Sequence, residues 1–210
     1  MTFINQAEKE INCKIIYAGP IGSGKSCNLK CIHERTPGEH KGEFIAMSKE
    51  NDRTCYFDFL PLFLGKIRGF RTRLHLYSVP GDLVVDSTRR MLLKGVDGIV
   101  FVVDSRKSAL EANFDTLKSL DAALAFHQLD ISKIPFIYQF NKRDFADSLS
   151  IEELNATLNK DQKVFCTANA KRGEGVIETL KTISRMVLSE LTRAGEEPPA
   201  ETANTKSTTI

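Results

Sequence analysis

A glycine-rich run lies close to the start of the chain and has the spacing of a phosphate-binding loop. Residues 19–26 read G-P-I-G-S-G-K-S, with two glycines placed before a Lys-Ser pair. In such a loop the backbone N–H groups cradle the α and β phosphates of a nucleotide, Lys25 reaches the β and γ oxygens, and the Ser26 hydroxyl ligates Mg²⁺. The run therefore predicts a nucleotide site whose contacts come from Gly19, Gly22, Ser23, Gly24, Lys25, Ser26 and Cys27.

The segments on either side of the loop supply the context that the motif requires. Residues 11–18 are rich in strand-forming side chains, and residues 27–35 can continue as a helix. Strand, glycine loop and helix in this order are typical of a nucleotide site. On the loop alone, a phosphotransferase acting on a small acceptor stays open as a second class of function.

A second motif predicts which base the site reads. Residues 141–144 read N-K-R-D at the end of a predicted strand, and this is the guanine-reading signature of GTP-binding domains. An aspartate carboxylate can accept both the N1–H and the exocyclic amine of guanine, a donor pair that adenine lacks, so Asp144 is expected to select guanine. Asn141 is expected to brace neighbouring loops, and Lys142 to lie along the base. In isolation the same tetrapeptide is a solvated turn.

A third segment follows the last predicted strand. Asn169, Ala170 and Lys171 resemble the Ser-Ala-Lys loop of GTP-binding domains, where a backbone N–H meets the guanine oxygen. The three segments together predict a site for GTP or GDP with Mg²⁺.

Predicted strands alternate with predicted helices along the chain. Residues 54–62 and 71–78, joined by a turn bearing Gly65 and Gly69, predict an antiparallel hairpin. Alternation of this kind implies right-handed βαβ units, a parallel sheet, and ligand binding at the carboxyl ends of the strands. The remaining predicted elements are the strands 97–104, 135–141 and 163–167 and the helices 108–126 and 176–191.

Composition excludes several classes of function. The chain of 210 residues carries 29 basic and 27 acidic side chains, a net charge of +2, which gives no electrostatic argument for a nucleic-acid partner. No apolar run approaches the ~20 residues of a membrane-spanning helix, and the first ten residues do not have the form of a secretory signal. We expect a soluble cytoplasmic protein without an integral membrane segment.

Five cysteines are dispersed along the chain, which is typical of reduced thiols in a cytosol. Two of them, Cys27 and Cys31, lie four residues apart on a predicted helix with His33 nearby. A metal site is conceivable there, but too few ligands are in view, so core packing is favoured. The other cysteines are Cys13, Cys55 and Cys166.

The chain is expected to form one GTP-binding domain over residues 1–193. From residue 194 onward the composition turns to Gly, Glu, Pro, Ala and Thr. Residues 194–210 are therefore predicted to be a disordered tail.

Three further stretches resemble the MglA family of bacterial Ras-like GTPases, which mark a cell pole and control motility. They are residues 53–61, 74–81 and 95–101. Most small GTPases read Asp-x-x-Gly where this chain has S-V-P-G at 78–81, and the MglA family likewise carries a hydroxyl residue there. The resemblance implies a small-GTPase P-loop fold with a mostly parallel six-stranded sheet, one antiparallel edge hairpin and helices on both faces.

The resemblance also implies roles around the γ-phosphate. Thr54 would approach Mg²⁺ and the γ-phosphate, Arg53 would act as an arginine finger supplied within the chain, and Gly81 would lie in the second switch. Asp58 would hold the metal through its water shell, since Ser78 offers no charge. From the residues alone, Arg53 and Thr54 can equally begin an edge strand, and Asp58 can be a solvent-facing residue.

The leading interpretation is a GTP-dependent switch whose output is protein binding. The resemblance implies a Roadblock-type GTPase-activating protein, polarity and motility effectors as partners, and recruitment to a cell pole. Small GTPases place a glutamine after the glycine of the second switch to orient the attacking water, whereas this chain has Asp82. Ile21 stands where Ras-like proteins carry glycine. These two departures predict slow intrinsic hydrolysis, and the alternative is a pseudo-GTPase scaffold without a cycle.

Overall fold

Eight strands form one sheet in the computed structural model, which describes residues 3–5, 8–46, 57–79 and 86–194. In chain order the strands are β1 Phe3–Asn5, β2 Glu10–Ala18, β3 Ile45–Ala46, β4 Asp58–Ile67, β5 Phe70–Ser78, β6 Gly98–Asp104, β7 Phe136–Asn141 and β8 Phe165–Thr167. The helices are α1 Lys25–Arg35, α2 Asp86–Leu93, α3 Leu110–Phe126, α4 Ile151–Leu158 and α5 Val176–Ala194.

The strand order across the sheet is β3-β4-β5-β2-β6-β7-β8, with β1 paired to the first residues of β2. The pairs β2–β5, β2–β6, β6–β7 and β7–β8 are parallel. The pairs β1–β2, β3–β4 and β4–β5 are antiparallel. The predicted mostly parallel sheet with an antiparallel edge hairpin is confirmed. Its count of six strands is too low, because β1 and β3 are too short to show an alternating pattern in the sequence.

Helices cover both faces of the sheet. On one face α1 and α5 pack over β2, β4 and β5 through Leu29, Ile32 and Ile183. On the other face α2, α3 and α4 contribute Leu93, Leu124 and Leu154 to a second layer. Strand β6 lies between the two layers and is buried at every position, as its nearly continuous apolar sequence predicts.

The hairpin differs in detail from the prediction. Strand β4 runs on to Ile67, past the expected turn at Gly65, because the register shifts between Phe63 and Lys66 and lets the strand continue. The turn is made by Arg68 and Gly69, whose φ angles are 51° and 85°. A proline, Pro61, lies within β4 opposite His75, and β4 is a nearly terminal strand of the sheet, where a missing N–H is tolerated.

Other boundaries shift by a few residues. Helix α1 begins at Lys25, inside the glycine-rich run, and α5 continues to Ala194, one residue into the predicted tail. Helices α2 and α4 were not predicted. Residues 195–210, the rest of the predicted tail, lie outside the described residues. None of the helices in the described part of the chain is long and apolar enough to cross a bilayer.

Candidate nucleotide site

The glycine-rich loop connects the carboxyl end of β2 to the first turn of α1. Within it the Ser23 N–H donates to the Pro20 carbonyl at 3.1 Å, which closes a tight turn. The Lys25 amine folds back over the loop and donates to the carbonyls of Gly19 at 2.9 Å and Pro20 at 2.7 Å. The lysine is thus held inside the loop, with its side chain 8% exposed.

The start of α1 is arranged for an anion. Gly24 precedes the helix with a φ of 106°, no side chain caps the first N–H groups, and the first turn carries no acidic residue. Uncapped N–H groups at a helix N-terminus bind phosphate oxygens readily. Ser26 and Cys27 lie exposed in this first turn. The loop and the helix start therefore suit a phosphate group.

Asn141 joins the loop to the rest of the site. Its side-chain amide donates to the Ser23 carbonyl at 2.6 Å, and its side-chain oxygen accepts from the Ala170 N–H at 2.8 Å. A Cβ at Gly24 would lie only 2.3 Å from that amide nitrogen, so glycine is required for the approach. One buried side chain at the end of β7 therefore fixes the phosphate loop and the 169–171 loop relative to each other.

A buried polar cluster supports the site from behind, and its members were not predicted. Gln139 and Asn28 exchange two side-chain hydrogen bonds of 2.8 Å, and the Gln139 amide also donates to the Thr179 hydroxyl at 3.0 Å. All three residues are fully buried. The cluster fixes α1 and α5 against β7. A glutamine inside an apolar strand is the signal in the sequence that could have revealed it.

Lys142 is held by Asp104, a residue at the end of β6 that was also not predicted to belong to the site. The Lys142 amine lies 2.7 Å from one carboxylate oxygen of Asp104, and Arg106 binds the same carboxylate through two nitrogens at 3.0 and 2.7 Å. Burial alone raises the pKa of Asp104, but the hydrogen bonds from Arg106 and Lys142 outweigh it and keep that pKa below its ordinary value. The Asp104 side chain is 2% exposed, so it pairs with Lys142 and Arg106 from inside the protein.

Asp144 lies exposed beyond Lys142, next to a hollow of about 690 Å³. Asn169 also lines the hollow, whereas none of the phosphate-loop residues does, so the hollow lies beside the residues that are predicted to read the base. The Asn169 side-chain nitrogen is buried without a hydrogen-bond partner among the described residues. A ligand with an acceptor atom, such as a guanine base, would satisfy that nitrogen. Ala170 is buried and Lys171 is exposed.

A hydroxyl–carboxylate pair lies at the carboxyl end of β5. The Ser78 hydroxyl donates to Asp58 at 2.8 Å and accepts from the Asp58 N–H at 2.9 Å. The pair places a carboxylate beside Ser78, the residue that stands in the sequence where most small GTPases carry the aspartate of Asp-x-x-Gly. Hydroxyl and carboxylate oxygens such as those of Ser26 and Asp58 are of the chemical type that Mg²⁺ prefers, and their role as ligands stays a prediction.

Four of the predicted site residues lie outside the described residues: Arg53, Thr54, Gly81 and Asp82. Their roles stay predictions. Ile21 is described and is 69% exposed at the tip of the phosphate loop. Of the two cysteines on α1, Cys31 is buried, as predicted, whereas Cys27 is exposed. No cluster of metal-binding side chains occurs among the residues described.

Comparisons with known proteins agree with this arrangement. Residues 66–187 match the model of the ADP-ribosylation factor family. The chain is 48% identical over 195 residues to the mutual gliding-motility protein MglA of Myxococcus xanthus (strain DK1622), which covers 93% of this chain and 100% of that protein. The chain therefore belongs to the MglA family of small GTPases and is a GTP-binding switch protein.

Proposed function

We propose that the chain cycles between GTP and GDP forms with Mg²⁺ in the cytoplasm and recruits polarity and motility partners at a cell pole. The observation that supports this best is the Asn141 side chain, which joins the phosphate loop at Ser23 to the 169–171 loop at Ala170. A site assembled before ligand arrives binds with little ordering cost. A Roadblock-type protein would accelerate hydrolysis.

The proposal gives each predicted residue a role at the nucleotide. The backbone N–H groups of residues 22–27 and the Lys25 amine would bind the phosphates. Asp144 would accept from the guanine edge, the Lys142 stem would lie along the base, and Ala170, with Asn169 and Lys171 beside it, would face the guanine oxygen. Ser26 and Thr54 would ligate Mg²⁺, and Asp58 would hold a water of the metal, with Gly81 near the γ-phosphate.

Guanine selection can be tested by fluorescence titration with mant-GDP, mant-GTP and mant-ATP. We expect both guanine nucleotides to bind at least about 100-fold more tightly than mant-ATP, because a site built to hydrogen-bond one edge rejects an edge that lacks the partners. Asp144→Ala should remove most of that preference. Asp115→Ala, at an exposed position of α3, is the matched control and should keep it. Tighter binding of mant-ATP would support a phosphotransferase instead.

Slow hydrolysis is the second part of the proposal. Asp82 accepts hydrogen bonds but cannot donate one to the attacking water, and its charge is repelled by the triphosphate. Ile21 protrudes from the phosphate loop and would crowd the same space. In single-turnover assays we expect Asp82→Gln to hydrolyse GTP about 100- to 1000-fold faster than the native chain. Equal rates would contradict the proposal. Arg53→Ala should slow hydrolysis both in the native chain and in the Asp82→Gln variant.

A pseudo-GTPase scaffold is the second candidate, and Asp82 is the residue that favours it. A scaffold locked in one state would bind the same partners whichever nucleotide is supplied. A switch should capture its partners only when loaded with a non-hydrolysable GTP analogue. Pull-downs with the analogue and with GDP, analysed by mass spectrometry, separate the two functions.

A further inference from the structure

The last strand of the sheet leaves one edge open. Strand β8 pairs with β7 on one side, and within the described part of the chain no strand pairs with its other side. The side chains of Val164 and Phe165 are 47% and 39% exposed there. Exposed apolar edge strands template pairing with another chain, and proteins commonly protect them with charges, proline or a covering element.

The usual protections are weak at β8. The segment 163–167 contains no proline, and its one charge, Lys163, is turned away to lie 5.5 Å from the Phe136 ring centre. All three residues of β8 line the 690 Å³ hollow that borders this edge, and the hollow extends from there to Asp144 and Asn169. An extended peptide therefore has both free backbone groups and space beside them.

Two further hollows lie at the start of β8, one on each face of the sheet. The first, of about 580 Å³, lies against α5, and Val164 is part of its wall. The second, of about 550 Å³, lies against α4, and Phe165 is part of its wall. The two share Gln162 and Lys163. Because side chains of a strand alternate between faces, a strand added to β8 would send alternate side chains toward each hollow.

The hollow against α5 is cationic. It is lined by Lys133, Lys163, Arg185 and Arg193, and its one carboxylate, Glu190, lies 3.8 Å from Arg193. This charge favours acidic side chains. The hollow against α4 is lined by Asn155 and Ala156 of α4 and, outside that helix, by Asn159, Lys160, Gln162, Lys163 and Phe165. The Phe165 ring in its wall favours an apolar or aromatic side chain of the partner.

We propose that the open edge of β8 binds an extended segment of a partner protein in which acidic residues alternate with apolar ones. The segment adds a strand to the sheet, with its acidic side chains over Arg185 and Arg193 and its apolar ones over Phe165. Backbone hydrogen bonds give affinity in this mode of recognition, and the alternating side chains give selectivity. The argument for this peptide site does not rest on the proposed cycle between GTP and GDP forms.

The test starts from a displayed library of random dodecapeptides panned on the full-length protein and counter-selected on Phe165→Lys. We expect enriched peptides to alternate Asp or Glu with apolar residues. The most enriched peptide, made synthetically, should lose at least about 10-fold in affinity on Arg185→Glu/Arg193→Glu and on Phe165→Lys. Lys66→Glu, which reverses an exposed charge on β4, is the matched control. Thermal unfolding of each variant shows whether it is folded.

Hydrogen exchange provides a readout that side-chain contact alone would not change. In a parallel pair with β7, the Phe165 and Thr167 amides face the open edge. Peptide binding should therefore slow exchange at these two amides. The proposal is overturned if no peptide survives counter-selection, if charge reversal leaves affinity unchanged, or if these amides stay unprotected. It is also overturned if light scattering shows that copies of the chain pair through this edge, or if the peptide binds only after residues 195–210 are removed.

Discussion

At the scale of single residues, Asn141 holds two loops of the site together. Its amide and oxygen satisfy one buried group on each of two loops, at 2.6 and 2.8 Å. Asn141→Ala would leave the Ser23 carbonyl and the Ala170 N–H without these bonds. Each such loss costs about 1–3 kcal/mol, and part of that cost is shared by the free and the nucleotide-bound protein. We therefore expect mant-GDP affinity to fall by about 10- to 100-fold, which corresponds to about 1.4–2.7 kcal/mol.

The matched control for that change is Asn12→Ala, at a half-buried position on β2. It should leave mant-GDP affinity within about twofold of the native value, a difference of a few tenths of a kcal/mol. An Asn141→Ala protein that binds mant-GDP as tightly as this control would show that the loops hold their positions without the bridge.

Asp104 predicts a pH dependence of stability. Its folded-state pKa lies below the ordinary value through its bonds to Arg106 and Lys142 against the effect of burial. The stabilisation is therefore complete above the ordinary carboxyl pKa, about 4, and is lost as the pH falls through the lower folded-state pKa. Asp104→Asn should lower the free energy of unfolding by about 1–3 kcal/mol at pH 7, since hydrogen bonds to charged groups are lost.

Urea unfolding between pH 3 and pH 7 measures this difference. The gap between the native chain and Asp104→Asn should narrow below about pH 4. Asp115→Asn, an exposed change on α3, should match the native stability across the range. A difference in the free energy of unfolding that does not change with pH would mean that Asp104 stabilises the fold through its shape and not through its charge.

At the scale of elements, the sequence is informative where burial imposes a pattern. Strands β6 and β7 were predictable because they lie between two helical layers, are buried at every position and are therefore mostly apolar. The extent of β4 was not, because its register shift beyond Phe63 depends on pairing with β5. The same holds for β1 and β3, whose two or three residues form strands only because a neighbour is present.

The residues of the candidate site likewise fall into those that the sequence predicts and those that it does not. The residues that carry a motif, such as Lys25 and Asn141, were predictable because their chemistry fixes their spacing. Gln139 stands out in the sequence as a glutamine inside an apolar strand, but its partners Asn28 and Thr179 are distant in the chain. Asp104 was missed because it reaches Lys142 only through the parallel pairing of β6 and β7, which brings the ends of the two strands together. The spacing of residues within a local motif does not indicate which distant residues become neighbours in the fold.

Helix α4 was missed although its first residues carry a signal. The Ser150 hydroxyl accepts from the Glu153 N–H at 3.1 Å, and the Glu153 carboxylate accepts from the Ser150 N–H at 2.7 Å, forming a capping box. Ser150→Ala should lower the free energy of unfolding by about 1 kcal/mol. Calorimetry should show a fall in Tm of about 2–4 °C, whereas Ser189→Ala in α5 should show none. An unchanged Tm would mean that Leu154, which is fully buried, holds α4 without the cap.

At the scale of the whole molecule, the nucleotide site is built from segments far apart in the chain. The phosphate loop, Ser78, the 141–144 loop and the 169–171 loop all follow strands of one sheet, and they meet at its carboxyl edge. The open edge of β8 and its cationic hollow lie beside α5, where Arg185 and Arg193 are. No residue of the predicted nucleotide site lines the cationic hollow, whereas the 690 Å³ hollow is lined both by β8 and by Asp144 and Asn169.

Because the nucleotide loops exist together only in the folded chain, the ligand should stabilise the whole fold. GDP with Mg²⁺ at 100 times its Kd should raise the free energy of unfolding by about 2.7 kcal/mol, which corresponds to a rise in Tm of about 5–10 °C. Equimolar ATP should give a far smaller rise. Asp144→Ala should lose most of the GDP effect, because that carboxylate is expected to select guanine. Arg185→Glu should keep the full effect, since it lies outside the nucleotide site. If Arg185→Glu reduced the GDP effect as strongly as Asp144→Ala, the two surfaces would be coupled, and the separation argued from their positions in the sheet would be wrong.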